Sequence, residues 1–281
     1  MQVRIFETLA GAAKFAGSRW QVALAQGREE EKRLWRYVGE SRNFVQVTGQ
    51  LYRFEDYLDA LAPGTPSRTS PALNAGKGEF SRPAAEMLLE IMDEEPEPEQ
   101  KRHVRVLIAL LDFIADTGQL DEVEDFFIHH HQYAPIAVAR FTSREEAEKW
   151  LKGTTEPPSP ANILIGDDYY QFWYLREDNT RGMYREYVIE ATIAALTAKG
   201  IPPGAPSFHS RTEAEEWLKH HPANPEAFVV IDGEHYLAVH HKRLNLHTLH
   251  HVASALLEWE EHKKKVAFAN SREAGPVEED E

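Results

Sequence analysis

Apolar residues in the first half of the chain recur every three or four positions, which is the period of an amphipathic helix. The clearest stretch is 99–115, where one stripe carries Val104, Leu107, Ile108, Leu111 and Ile114. The same spacing predicts helices over residues 9–25, 29–38, 54–61, 81–92 and 120–130. Short apolar runs at 3–6 and 44–47 predict strands, and the Pro- and Gly-rich stretch 62–79 predicts a loop. Residues 1–133 are therefore expected to be mainly helical.

Beyond residue 133 the pattern changes, and one phrase occurs twice. Residues 141–152 read FTSREEAEKWLK and residues 208–219 read FHSRTEAEEWLK, at an offset of 67 residues. The likeness continues from 165–170 to 231–236 at an offset of 66, which indicates a single-residue slip in the intervening loop. A repeat of this length is typical of a duplicated structural unit.

Each copy carries the same local signals. Ser143 and Ser210 are predicted helix N-caps, each with a Glu three residues later that completes a capping box. Trp150 and Trp217 fall on the apolar side of these helices and are predicted core anchors. A Gly/Asp pair after the next apolar run predicts a tight hairpin in both copies. Closing helices are predicted over 184–199 and 244–262, which makes each copy a β-α-β-β-α unit.

The predicted fold class is α+β, with a mostly helical N-terminal region followed by two tandem β-α-β-β-α repeats that form small antiparallel sheets. The predicted divisions are a helical region 1–133, repeat units 134–201 and 202–265, and an acidic, disordered tail 266–281. We expect the two repeats to pair, because one such hairpin alone cannot bury its apolar face.

Composition narrows the functional classes. The 281 residues have a formal net charge of −15, which disfavours binding to nucleic acid because phosphate backbones would be repelled. There are no cysteines, so disulfides, thiolate metal sites and a cysteine nucleophile are excluded. No run approaches the roughly 18 apolar residues of a membrane helix, and the N-terminus lacks a signal-peptide core. We expect a cytoplasmic protein without a membrane partner.

Histidine is the first candidate for chemistry, since 14 are present and several cluster near the C-terminus. On the predicted closing helix, His247 and His251 would share a face as a metal pair does, and His240 could supply a third ligand. Partly solvated surface histidines are the alternative interpretation. We predict no metal and no cofactor, and keep a metal-dependent enzyme as the alternative function.

Other motifs give little support for an enzyme. Asp167, Asp168, Asp232 and Glu234 lie at the predicted hairpin turns, where backbone geometry alone favours such residues. The stretch 75–78 lacks the spacing of a phosphate-binding loop. A Gly-x-Ser-x-Gly nucleophile motif is absent from the sequence. The chain is therefore predicted not to be an enzyme.

Acidic patterning gives a candidate binding surface. Between positions 112 and 125 the chain has no Lys or Arg, and two phenylalanines follow at once. Acids beside aromatic residues suit a basic protein partner. An aromatic run in the first repeat places aromatic side chains on both faces of its hairpin, so the N-terminal half or a partner is expected to cover one face. The predicted partner-binding residues are Asp116, Asp121, Glu122, Asp125, Phe126, Phe127 and Trp173.

The repeated phrase Ser-Arg-x-Glu-Ala-Glu-x-Trp-Leu, followed by an apolar strand, a Gly/Asp turn and an aromatic strand, resembles short units in uncharacterised bacterial paralogue families. Some of those families resemble immunity proteins of contact-dependent or polymorphic toxin systems. The likeness covers roughly residues 136–260 and involves scaffold positions only. It implies a non-enzymatic immunity protein that binds and neutralises a cognate bacterial toxin.

Overall fold

The computed structural model describes residues 4–61, 69–76 and 78–273, and within them the fold is α+β, as predicted. The α-helices of this described part are α1 (Arg4–Ala25), α2 (Glu29–Val47), α3 (Leu51–Ala60), α4 (Pro71–Ala75), α5 (Ser81–Glu94), α6 (Pro98–Asp116), α7 (Leu120–His129), α8 (Arg144–Gly153), α9 (Val188–Thr197), α10 (Arg211–His220) and α11 (Val252–Glu273). The strands are β1 (Ala137–Phe141), β2 (Ala161–Ile165), β3 (Asp168–Leu175), β4 (Thr180–Arg185), β5 (Ser207–Phe208), β6 (Glu226–Ile231), β7 (Glu234–His241) and β8 (Leu246–His251).

The chain divides into two compact units that interleave along the sequence. Unit 1 comprises Met1–His131, Leu151–Ala161 and Phe172–Gly182, and unit 2 comprises Gln132–Trp150, Asn162–Gln171 and Met183–Glu281. Part of the first repeat therefore belongs to the same compact unit as the N-terminal helices. This division differs from the expected sequential arrangement of 1–133, 134–201 and 202–265.

Helix α6 is the centre of unit 1. Its side chains from Val106 to Ala115 are all buried, and α1, α3, α4, α5 and α2 pack against it. The predicted strand at 3–6 is wrong for its described residues, because Ile5 and Leu9 begin the buried stripe of α1. The predicted strand at 44–47 is also wrong, since Phe44 and Val45 continue the buried side of α2. The predicted loop 62–79 contains α4, and residues 62–68 and 77 lie outside the described residues.

Both repeats contain one more strand than predicted. The two four-stranded sheets have the orders β1-β2-β3-β4 and β5-β6-β7-β8. The first pair in each sheet is parallel, so the sheets are mixed rather than antiparallel. Strand β4 replaces the start of the predicted helix 184–199, and β8 replaces the start of the predicted helix 244–262. Each copy is therefore a β-α-β-β-β-α unit.

The second sheet is buried on both faces. Because successive side chains of a strand point to opposite faces, Leu237 and Val239 of β7 share one apolar cluster with α9 and α11 residues. Ala238 lies in the other cluster, with Ala214 and Leu218 of α10. This double coverage places β7 and β8 at the centre of unit 2.

The capping boxes are confirmed in both copies. The backbone N–H of Glu146 donates to Ser143 Oγ (3.2 Å), and Glu146 in return accepts from the backbone N–H of Thr142 (2.8 Å). In the second copy the backbone N–H of Glu213 donates to Ser210 Oγ (3.2 Å), and the Glu213 carboxylate accepts from the backbone N–H of His209 (2.8 Å). The bonds to the serine hydroxyls satisfy N–H groups that the first helical turn leaves unpaired, and each glutamate side chain binds the residue just before the cap.

The tryptophans predicted as core anchors are only half-buried. Trp150 lies 5.2 Å from the ring of Phe141, and Trp217 lies 5.5 Å from the ring of Phe208. The fully buried positions on α10 are Ala214 and Leu218. Trp150 and Trp217 thus cover matched phenylalanines at the margin of each copy.

The end of the chain is helical further than expected. Helix α11 continues to Glu273, so the prediction of a disordered tail over 266–281 is wrong for residues 266–273. Residues 274–281 lie outside the described residues. None of the helices in the described part of the chain combines the length and the apolar character needed to cross a membrane.

Candidate functional site

The inner side of α7 is fixed by an acidic side chain. Glu124 accepts hydrogen bonds from the backbone nitrogens of Glu79 (3.0 Å), Phe80 (3.1 Å) and Ser81 (3.2 Å). These groups lie at the N-terminus of α5, where the first N–H groups of a helix lack internal partners. A carboxylate is favoured there by both the hydrogen bonds and the helix dipole. Glu124 therefore joins α7 to α5 and is engaged within unit 1.

The aromatic residues of α7 also face inward. Phe127 is 4% exposed and packs edge-on against Tyr37 (5.3 Å) and Phe80 (4.9 Å). Its prediction as a partner-binding residue is wrong, because a side chain buried in the core cannot contact a partner. Phe126 is half-buried, at 5.7 Å from the ring of Phe44 and 5.3 Å from that of His130. Only its exposed edge is open to a partner.

The outer side of α7 carries the predicted acids and one apolar residue that the sequence interpretation missed. Asp121 and Glu122 are exposed, Asp125 is half-buried, and Ile128 is 43% exposed. Asp121, Asp125 and Ile128 are four and three positions apart, so they share one helix face. The signal was present, since Val123 and Phe127 define the buried stripe and Ile128 lies off it. We call Asp116, Asp121, Glu122, Asp125 and Ile128 the α7 docking face.

Asp116 ends α6 in an exposed position beside a second acid. Its carboxylate accepts a hydrogen bond from Tyr57 Oη at 2.8 Å. Asp112, one turn earlier, is buried and accepts from the backbone nitrogen of Ser70 at 2.6 Å. Burial is the main reason that the pKa of Asp112 is raised to about 6, and the charge of Asp116 adds to it. Asp116 is therefore held in place on the surface, whereas Asp112 is internal.

Trp173 lies apart from α7 in the contacts that it makes. It is 37% exposed, and its ring covers Gly182, where an added Cβ would lie 2.9 Å from the indole. Tyr174, the next residue, is buried, as alternation along β3 requires. Trp173 therefore remains a predicted partner-binding residue that has the necessary exposure.

The C-terminal histidines lie on strands and not on a helix. The prediction that His247 and His251 share a helix face is wrong, because both belong to β8. His247 pairs across the ladder with His240 of β7, and the two rings stack at 4.6 Å with an angle of 16° between their planes. Burial lowers the pKa of both residues, that of His247 to about 4. Both imidazoles are therefore neutral at pH 7.

The stacked rings do not form a chelating pair. Imidazole lone pairs lie in the ring plane, so two nearly parallel, stacked rings hold them in separate planes that do not meet at one ion. The backbone nitrogen of Ala223 also donates to His247 Nε2 at 3.2 Å. Among the residues that the structure describes, no group of three or more His, Asp or Glu is placed to hold a metal ion.

A second pair of histidines belongs to a buried hydrogen-bond chain. Tyr169 Oη donates to the carbonyl of Pro135 (2.8 Å) and lies 3.2 Å from His241 Nδ1. His241 Nε2 lies 2.9 Å from Thr248 Oγ1, which lies 2.8 Å from His250 Nε2. Burial lowers the pKa of His241 to about 3 and that of His250 to about 4.

The chain fixes the protonation of each member. Because the single Tyr169 proton goes to the Pro135 carbonyl, His241 Nδ1 must carry the hydrogen that it shares with Tyr169. His241 Nε2 then accepts from the Thr248 hydroxyl, whose oxygen accepts from His250 Nε2–H. Every bond is thus satisfied with both imidazoles neutral, in agreement with their lowered pKa values.

The two copies differ at the positions of His240 and His247, and they share a contact between an acid and a basic side chain. At an offset of 66 residues, His240 corresponds to Tyr174 and His247 to Arg181, whose guanidinium lies 4.8 Å above the Tyr174 ring. In contrast, Asp168 with Arg185 (3.2 Å) corresponds to Glu234 with His251 (3.4 Å). A contact between an acid and a basic side chain at this position is therefore shared by the two copies, and the stacked histidines are particular to the second copy.

No protein-family model, no curated protein and no solved structure matches this chain. The geometry of the described residues is therefore the basis for assigning a function. It offers an acidic face with an exposed apolar residue on unit 1, and a pair of stacked, neutral histidines on unit 2.

Proposed function

We propose that this chain is a non-enzymatic protein-binding protein that docks a basic partner on the α7 docking face. The observation that carries this proposal is the 43% exposed side chain of Ile128, which shares its helix face with Asp121 and Asp125. The acids of the first turn are also favoured by the helix dipole, so they alone would not indicate a partner. The exposed isoleucine gains nothing from that effect, and a partner that covers it would bury apolar surface.

The arrangement suits binding in a second way, because α7 is held rigidly from behind. Phe127 is buried among aromatic rings, and Glu124 is bonded to three backbone nitrogens of the residues that begin α5. A preformed helix face loses little conformational entropy when a partner binds. An apolar centre within a charged rim is also the usual layout of a specific interface.

We further propose that the partner is a cognate bacterial toxin, which this chain neutralises in the cytoplasm as an immunity-type protein. The resemblance of the repeated phrase to such families and the net charge of −15 support this finer proposal. The alternative function, a metal-dependent enzyme, was based on a helical face shared by His247 and His251. Because both residues lie on β8, the geometry gives that alternative less support.

The test uses a protein partner that co-purifies with the full-length chain and measures its association and dissociation rates at two salt concentrations. Reversing the charge of Asp121 and Glu122 to Lys should slow association about tenfold at low salt, because steering by exposed charges acts on the encounter. The difference should shrink at high salt, where the Debye length is shorter. Ile128→Ala should instead act mainly on dissociation.

The matched control reverses Glu29 and Glu30, which occupy the same exposed first-turn position on α2. This control changes the net charge equally, so it should slow association far less than the α7 reversal. Equal effects of the two double variants, or association that does not depend on salt, would place the interface elsewhere.

A further inference from the structure

Unit 2 contains a cleft that is lined by six polar residues together with Pro222 and Leu246. Its volume is about 600 Å³, and the polar residues around it are Arg140, Glu215, Lys219, His240, Asn245 and His247. Arg140 comes from β1, Glu215 and Lys219 from α10, and the two histidines from β7 and β8. The α7 docking face contributes nothing to it, so the cleft is independent of the protein-binding proposal.

Several of these side chains have hydrogen-bonding groups without a partner in the described part of the chain. Arg140 uses Nε for the Gly166 carbonyl (2.9 Å) and Nη2 for Asp167 (2.9 Å), which leaves Nη1. His240 stacks on His247 and makes no hydrogen bond through its ring nitrogens within the described residues. Because His247 Nε2 accepts from Ala223, the neutral ring of His247 carries its proton on Nδ1. The cleft therefore presents several unused donors beside the Glu215 carboxylate, which is paired with Arg211.

Asn245 is a further polar group of the cleft, and its counterpart in the first copy is used differently. Asn179 and Asn245 correspond at an offset of 66 residues, and both have left-handed backbones, with φ of 53° and 51°. In the first copy the Asn179 amide oxygen accepts from Arg181. The residue that corresponds to Arg181 is His247, and no hydrogen bond to the Asn245 side chain replaces it in the described residues. The turn is shared scaffold, whereas the unused amide belongs to the cleft.

The fixed charges around the cleft are nearly balanced. Asp167 pairs with both Arg140 and Arg211, and Arg211 also holds Glu215 at 2.7 Å. Lys219 pairs with Glu216, and Lys242 adds a positive charge near His240. A ligand that brings its own negative oxygens would meet the guanidinium, the ammonium and the amide without displacing a buried ion pair.

We propose that this cleft binds a small ligand that carries carboxylate or phosphate oxygens. Arg140 Nη1, Lys219 Nζ, the Asn245 amide and His247 Nδ1–H donate to those oxygens.

The experiment titrates the full-length protein with inorganic phosphate and, separately, with malonate, at pH 7, and follows the imidazole resonances by NMR. We expect saturable binding by at least one of the two, with shifts of the His240 and His247 resonances. The arm that binds more tightly distinguishes a phosphate ligand from a carboxylate ligand.

Two variants and one control separate binding from folding. His240→Gln with His247→Gln removes both imidazoles, and Asn245→Gly removes the amide while it keeps a residue suited to positive φ. Each should weaken binding about tenfold or more, equivalent to about 1.4 kcal/mol. The control, His220→Gln with His221→Gln, makes the same chemical change at exposed positions and should not alter binding. If neither anion binds saturably, or if the cleft variants bind like wild type, the proposal is wrong.

Discussion

At the scale of single residues, the negative charge of Asp112 destabilises the folded state. It is 8% exposed, and its pKa is raised to about 6 mainly by burial. A carboxyl group whose pKa is raised in the folded state stabilises the protein below its ordinary pKa, and that contribution is lost as the pH rises through 6. At pH 7 the charged form of Asp112 therefore lowers the free energy of unfolding.

We expect Asp112→Asn to increase the free energy of unfolding at pH 7 by about 1–3 kcal/mol, since the amide oxygen can still accept from Ser70 and carries no charge. The gain should shrink as the pH is lowered toward 4. Denaturant unfolding at both pH values measures it, with exposed Asp93→Asn as the control that should change little. A variant that is less stable than wild type at pH 7 would show that the carboxylate is stabilised in the core.

At the scale of elements, the sequence pattern located most of the long helices but missed β4 and β8, and it predicted two strands, at 3–6 and 44–47, whose described residues are helical. Strand β8 was assigned to the following helix because Leu246 and Leu249 continue the spacing of Val252 and Leu256. Strand β4 has little apolar alternation and is defined by its neighbour in the sheet. Such a strand depends on pairing, which a local pattern does not contain. The capping boxes were predictable because their bonds are local.

The β7–β8 ladder makes a prediction about acid stability. Burial lowers the pKa of His241 and His250 to about 3 and about 4, so the unfolded chain binds protons that the folded ladder does not. Each such imidazole lowers the free energy of unfolding by about 1.4 kcal/mol per pH unit below its ordinary pKa of about 6.5. Stability is thus present above pH 6.5 and lost as the pH falls.

His250→Gln removes one of these imidazoles and keeps a donor for Thr248 Oγ1. Between pH 6 and pH 5 its unfolding free energy should fall less steeply than that of wild type, by about 1.4 kcal/mol per pH unit. Denaturant unfolding of both proteins at these two pH values gives the difference, in which the titration of other groups cancels. Parallel slopes would mean that His250 is protonated in the folded ladder.

At the scale of the whole molecule, the interleaved units could not be predicted from the repeat. The repeat indicates sequential modules, whereas Leu151–Ala161 and Phe172–Gly182 belong to the same compact unit as the N-terminal helices. Only part of the candidate docking face could be predicted from the sequence, for a similar reason. Charge patterning located Asp121 and Asp125, but only packing shows that Phe127 points inward and Ile128 outward.

The central claim is that a protein partner binds on the outer side of α7, and amide hydrogen exchange with and without a bound partner tests it most directly. Binding should slow exchange in the peptides that cover α7 and the end of α6 and leave the β7–β8 ladder unchanged. Protection that is confined to unit 2, or to the strand around Trp173, with unaltered exchange at α7, would contradict the claim.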